Sequence, residues 1–119
     1  MSPNPNPLRG EIWMVNFDPQ IGHEIKKSRP AVVVNLAWEQ IFPLRLVIPI
    51  TEWQPSFQGR ITKVRVDPTP LNGLHKSSAL DLYQIKSASL MRFSRKLGQL
   101  EAITLETAAK CVAALIKAV

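Results

Sequence analysis

Four small or branched apolar residues, Ala31-Val32-Val33-Val34, stand directly behind a proline that closes a basic loop, Gly22-His23-Glu24-Ile25-Lys26-Lys27-Ser28-Arg29-Pro30. Such a run reads as a buried strand. Pro30 fixes its own φ and has no N–H, so it suits the first position of that strand better than its middle. It also pushes Arg29 towards extended geometry. Arg29 therefore sits at the mouth of a rigid element, with Lys26 and Lys27 close behind it. Three cations in four residues at the end of a strand form a candidate anion site. The plainer reading is a solvated basic loop.

The rest of the chain arranges itself around this strand. Glu11–Phe17 is rich in aromatic and branched residues and reads as a first strand, bounded by Arg9-Gly10 and Asp18-Pro19. The second strand runs from Ala31 to Leu36 and the third from Leu44 to Thr51, where Pro49 argues for an edge or a bulge. Ile61–Asp67 alternates: Thr62, Val64 and Val66 face one way, Lys63, Arg65 and Asp67 the other, as in a half-buried strand with a charged outer face. Pro68–Gly73 is turn chemistry. Ser78–Lys86 reads as a further strand with a bend, and Lys96–Leu100 as a last short one. Thr104–Val119 carries the i, i+3, i+4, i+7 apolar pattern of a helix, with Thr104 as its N-cap and its last residues buried. Several short strands and one terminal helix predict a mainly β fold, a small barrel with a packed C-terminal helix.

With 119 residues and a net charge of +6, the chain is one domain that favours acidic partners. Residues 1–8, rich in proline and asparagine, read as a flexible tail, and residues 9–119 as the folded domain. The single cysteine, Cys111, permits no internal disulfide and suits a reducing cytoplasm; it reads as a structural residue of the helix. No apolar run approaches membrane-spanning length, and the N-terminus lacks the basic and apolar regions of a signal peptide. The two histidines, His23 and His75, have no second metal ligand at a suitable spacing, and no phosphate-binding glycine loop or nucleophile elbow is present.

What remains is polar chemistry at strand ends. If strands two and three form a hairpin, Thr51 at the end of one lies near Arg29 at the start of the other. An arginine fork and a threonine hydroxyl could then converge on one phosphate. The alternative is that Thr51 merely ends a strand.

The chain resembles the MazF/PemK family of toxin endoribonucleases. The resemblance lies in Arg9-Gly10-Glu11-Ile12-Trp13, in Gly22-His23-Glu24 followed by Lys27–Val33, and in Ile48-Pro49-Ile50-Thr51. It continues through Leu80–Lys86 and ends in Arg95–Leu100. It implies an SH3-like barrel that dimerises and is neutralised by an acidic antitoxin. It also implies metal-independent cleavage of single-stranded RNA, without a cofactor: the 2′-OH attacks the adjacent phosphate and leaves a 2′,3′-cyclic phosphate and a 5′-OH. Arg29 and Thr51 match the family's catalytic pair, and Gln84 matches a position near its groove. His23, Glu24, Lys26, Lys27, Ser28, Trp53, Gln84 and Lys86 become the expected RNA contacts. His23 stands where the family often has a small residue; it reads as a plain loop residue that contacts RNA, with action as an acid or base the alternative. Lys86 stands where an arginine is usual, and Ser77 where an aspartate is common.

Trp13 and Phe17 read as core. Trp53 and Phe57, in a loop followed by Arg60 and Lys63, suit base stacking, a protein contact or simple packing. Two other readings keep the same barrel: a non-catalytic toxin of the CcdB type that binds gyrase through its C-terminal end, and an RNA-binding module without activity.

Overall fold

The computed structural model describes residues 5–19, 21–24, 27–36 and 42–117. Seven strands precede one helix: β1 (Glu11–Asn16), β2 (Ser28–Val33), β3 (Leu44–Glu52), β4 (Lys63–Val66), β5 (Ser78–Asp81), β6 (Lys86–Ser89), β7 (Phe93–Gln99) and α1 (Ala102–Leu115). The strands form an antiparallel sheet in the order β4-β5-β3-β2-β1-β7, with β6 added to β3. The mainly β fold with a C-terminal helix is as the sequence predicts.

β3 is the spine. Its first half pairs with β6, from Leu44↔Ser89 to Val47↔Lys86, and its last three residues pair with β5, from Ile50↔Leu80 to Glu52↔Ser78. Pro49 falls between these two partners, so the bend lies in the central strand and not at a sheet edge. A residue without an N–H is tolerated where one ladder stops and the next begins. Pro30 likewise lies inside β2, opposite Met14, one residue beyond the last β2–β3 pair, Ala31↔Pro49.

The sheet is buried on both faces near β2. Val32, Ile48, Ile50 and Leu80 pack with Leu105 and Ala108 of α1, whereas Ala31, Val33 and Val47 pack with Val15, Phe17 and Phe93. This explains the unbroken apolar run that opens the sequence reading: alternate residues serve two cores. Truncating Ile48, which is 1% exposed, to alanine should cost about 2–5 kcal/mol.

Three expectations need correction. The predicted strand Ser78–Lys86 is two strands, because a 3₁₀ turn at Leu82–Gln84 breaks it. The helix begins at Ala102 with Glu101 as N-cap, so Thr104 lies inside its first turn. Its far end is not buried: Leu115 is 37% exposed and Ile116 71%. Only the Leu105–Ala108 turn reaches the core fully, while Cys111 and Val112 pack at its border. At the other terminus, Asn6 and Pro7 are fastened to the barrel. Arg45, 1% exposed, donates from Nε to the Pro7 carbonyl at 2.8 Å and from Nη2 to Asn6 Oδ1 at 3.0 Å.

Candidate active site

The register assembles the site. Continuing the β2–β3 pairing two residues beyond Ala31↔Pro49 sets Arg29 across from Thr51. On the other edge of β3, Thr51 pairs with Ala79, and Ala79 pairs with Arg65 of β4. Directly opposed residues share a face. Thr51, Ala79 and Arg65 thus form one row across three strands, with fully buried Ala79 as a low floor, and Arg29 lies two residues past the last β2–β3 pair. Arg29 and Thr51 also line a common cleft of about 400 Å³, together with Glu52, His75, Lys76 and Arg95. The convergence expected from the hairpin is therefore present.

The β1–β2 loop rises beside Arg29. Its neck is closed by the Phe17 N–H donating to the Lys27 carbonyl at 2.8 Å and by the Lys27 N–H donating to Asp18 Oδ1 at 2.7 Å. Lys27 adopts φ 64° at this closure and Gly22 φ 59° in the turn before it. Glu24 turns its carboxylate inward and accepts the Ile21 N–H at 3.1 Å. Gln84 Nε2 donates to the His23 carbonyl at 3.2 Å. Gln84 thereby braces the loop. Arg92 Nη1 ties the Asn16 carbonyl at 3.0 Å and also reaches the Asp18 carbonyl. Lys86 Nζ sits 6.0 Å above the Phe17 ring at the base of the loop. His23, Glu24, Lys27 and Ser28 are exposed along it, and Lys26 lies outside the described residues.

A second basic wall, outside the cleft lining, is built differently. A 3₁₀ turn at Pro55–Phe57 folds the Phe57 ring edge-on to Trp53, 5.7 Å between centroids. Lys63 Nζ lies 5.1 Å from the Phe57 centroid and Arg65 Cζ 5.0 Å from the Trp53 centroid. Lys63 also pairs with Asp81 at 3.0 Å, with the two side chains 14% and 13% exposed. Arg65 Nε donates to Asp67 Oδ1 at 3.1 Å, and Ser77 Oγ donates to the same oxygen at 2.8 Å. The Ser77 hydroxyl and then Arg65 hold the Asp67 carboxyl below its usual range.

His75 and Arg65 are the residues that sequence reasoning passed over. The alternation in β4 marked Arg65 as outward-facing, but only the sheet order shows that this face is continuous with Thr51. His75 had no local signal; the turn before β5 carries it to the cleft. Among the described residues, no group of three or more His, Cys, Asp or Glu could hold a metal ion, and no helix is long and apolar enough to cross a membrane.

The chain is similar in sequence and fold to known proteins. The chain is 33% identical over 107 residues to the endoribonuclease MazF9 of Mycobacterium tuberculosis, covering 82% of this chain and 85% of that one. Over 44 residues it is 43% identical to the endoribonuclease PemK of Escherichia coli, a match spanning 36% of this chain and 33% of PemK. Its fold superposes on the crystal structure of MazF from Deinococcus radiodurans with a TM-score of 0.78 at 25% identity, covering 93% and 96% of the two chains. A MazE–MazF structure from the same organism matches with a TM-score of 0.71 at 24% identity, covering 94% of this chain and 96% of that one. The model of the PemK-like, MazF-like toxins of type II toxin–antitoxin systems matches residues 8–116, and the chain belongs to that family.

Proposed function

We propose that this toxin is an endoribonuclease that cleaves single-stranded RNA at a short sequence, without a metal ion, by attack of a ribose 2′-OH on the adjacent phosphate. A bond forms between O2′ and phosphorus while the bond from phosphorus to O5′ breaks. The products are a 2′,3′-cyclic phosphate and a 5′-OH. The observation that carries this reading is the meeting of Arg29 and Thr51, 22 positions apart in the chain, in one cleft.

Their chemistry divides naturally. A guanidinium stays protonated, so Arg29 is suited to stabilising the charge that develops on the pentacoordinate phosphate. The Thr51 hydroxyl donates to a second phosphate oxygen. The 2′-OH proton needs an acceptor. Of the cleft residues, Glu52 is engaged with Lys76 at 3.5 Å, which leaves His75 as the group to take that proton and return one to the departing 5′ oxygen. The β1–β2 loop, through His23, Lys26, Lys27 and Ser28, guides the strand, and Gln84 holds the loop.

The working form is a homodimer in the cytoplasm, restrained by an acidic antitoxin segment laid across the basic face. The net charge of +6 supports that partner, as does the likeness to proteins solved with antitoxins. The test is cleavage of a long single-stranded RNA in EDTA by wild type, Arg29→Ala and Thr51→Ala. Cyclic phosphate ends from wild type alone are expected. Folded wild type that leaves a broad RNA pool intact would sink the proposal. A gyrase-directed toxin is the second reading, favoured by the exposed C-terminal turn at Leu115 and Ile116; it predicts inhibition of supercoiling instead.

A further inference from the structure

We infer that Arg65, clamped by Asp67 and Ser77 and stacked on Trp53, is a guanine-reading residue, placed to contact a base next to the reacting phosphate. The inference rests on the endoribonuclease reading of the Arg29–Thr51 cleft and adds to it a specificity element on β4.

The clamp leaves one recognition edge open. A guanidinium has two forks. The side fork is Nε with one N–H of Nη2; the end fork is Nη1 with the other N–H of Nη2. In Arg65 the side fork is occupied: Nε donates to Asp67 Oδ1 at 3.1 Å, and Nη2 reaches Ser77 Oγ at 3.5 Å. Ser77 in turn donates to Asp67 at 2.8 Å, so the clamp is itself fixed. The Trp53 ring, 5.0 Å from Cζ, restrains the group further, and Phe57 buttresses that ring edge-on. The end fork is thereby aimed without being used: Nη1 makes no hydrogen bond among the described residues.

An end fork held in this way pairs with two acceptors side by side. In RNA these are two oxygens of a phosphate, or O6 and N7 of guanine. Two features favour the base. The Asp67 carboxylate beside Arg65 offsets its charge, which weakens attraction to a phosphate but leaves the donors in place. The aromatic pair beside the guanidinium gives a base lying in its plane a surface to stack on, which a phosphate does not need. The location suits the reading as well. Only Ala79 separates Arg65 from Thr51 in the row, a distance of two strand spacings, roughly 10 Å. A nucleotide adjoining the phosphate held by Arg29 and Thr51 can reach it.

Binding separates this inference from the nuclease reading. The Thr51→Ala protein, which leaves RNA intact, is titrated by fluorescence anisotropy with short uridine oligoribonucleotides carrying one guanosine, one 7-deazaguanosine or one adenosine. Guanosine should bind about tenfold or more tightly than either, because 7-deazaguanosine lacks the N7 acceptor and adenosine lacks O6. Adding Arg65→Lys, which keeps the charge and loses the fork, should abolish the preference. Adding Arg29→Ala instead should weaken all three and keep it. Equal affinity for the three oligonucleotides, or a preference that survives Arg65→Lys, overturns the inference even where wild type cleaves RNA. Cleavage that fails while the guanosine preference appears overturns only the nuclease reading.

Discussion

The β1–β2 loop and the Trp53–Arg65 segment are two basic walls outside the cleft lining, and they hold their charge by opposite means. The β1–β2 loop is fixed through its backbone: the neck bonds at Lys27, the Gln84 brace on His23 and the Arg92 ties all end on main-chain atoms or short loop side chains. The Lys27 side chain stays exposed. On β4 the reverse holds, because Lys63 and Arg65 are themselves fastened, to Asp81, Asp67, Ser77 and two aromatic rings. A backbone-held cation can follow a moving phosphate. A side-chain-held cation offers one geometry, which suits telling one base from another.

The largest expected effect is at Arg29, on β2 at the foot of the loop wall. Arg29→Ala should lower cleavage by about 10²–10³-fold while leaving the urea midpoint close to that of wild type, since the residue is only half-buried, at a strand end. A loss of stability matching the loss of rate would make Arg29 a structural residue. On the β4 wall the balance should tip towards stability. Asp81→Ala strands the Lys63 ammonium in a site that is nearly closed and should cost about 2 kcal/mol in urea unfolding. Unchanged stability there would erase the distinction between the walls.

A smaller effect is expected from the brace. Gln84→Ala removes one exposed hydrogen bond to the loop, worth about 1 kcal/mol or less, so kcat/KM should fall no more than about fivefold with little change in melting. The smallest effect concerns Glu11, a side-chain clamp on β1. Burial works to raise its carboxyl, but the Leu8 and Trp13 N–H groups and Lys96 outweigh burial and hold it below the usual range. The native state therefore binds fewer protons than the unfolded one. Its contribution is present above the unfolded value near 4.5 and is lost as pH falls through the lower folded value. Urea melts should place wild type slightly above Glu11→Gln at pH 7 and bring the two together in acid.

Local patterns made the strands legible. Alternation in Lys63–Val66 and the branched run behind Pro30 both marked real strands, and the Arg29–Thr51 meeting followed from a hairpin guess. What the sequence concealed was long-range. Nothing near Pro49 reveals that β3 exchanges β6 for β5 there, so a central bend resembled an edge. The charged face of β4 resembled a solvated one until the row through Ala79 joined it to Thr51. The helix misled at its end because Leu115 and Ile116 continue the apolar period beyond the point where the barrel stops beneath them. The composition of residues 1–8 gives no sign that Asn6 and Pro7 are held by an arginine 38 residues beyond Pro7.

That arginine bears on how the chain can be handled. Arg45 is a charge inside the protein whose hydrogen-bond acceptors include two residues from the extreme N-terminal segment. A shortened gene product starting at Leu8 would lose those acceptors and leave a guanidinium poorly solvated in the interior. A fusion joined ahead of residue 5 leaves them in place. Asn6 and Pro7 therefore belong to the folded unit, and a cut that removes them will bear on whether the recombinant protein is sound.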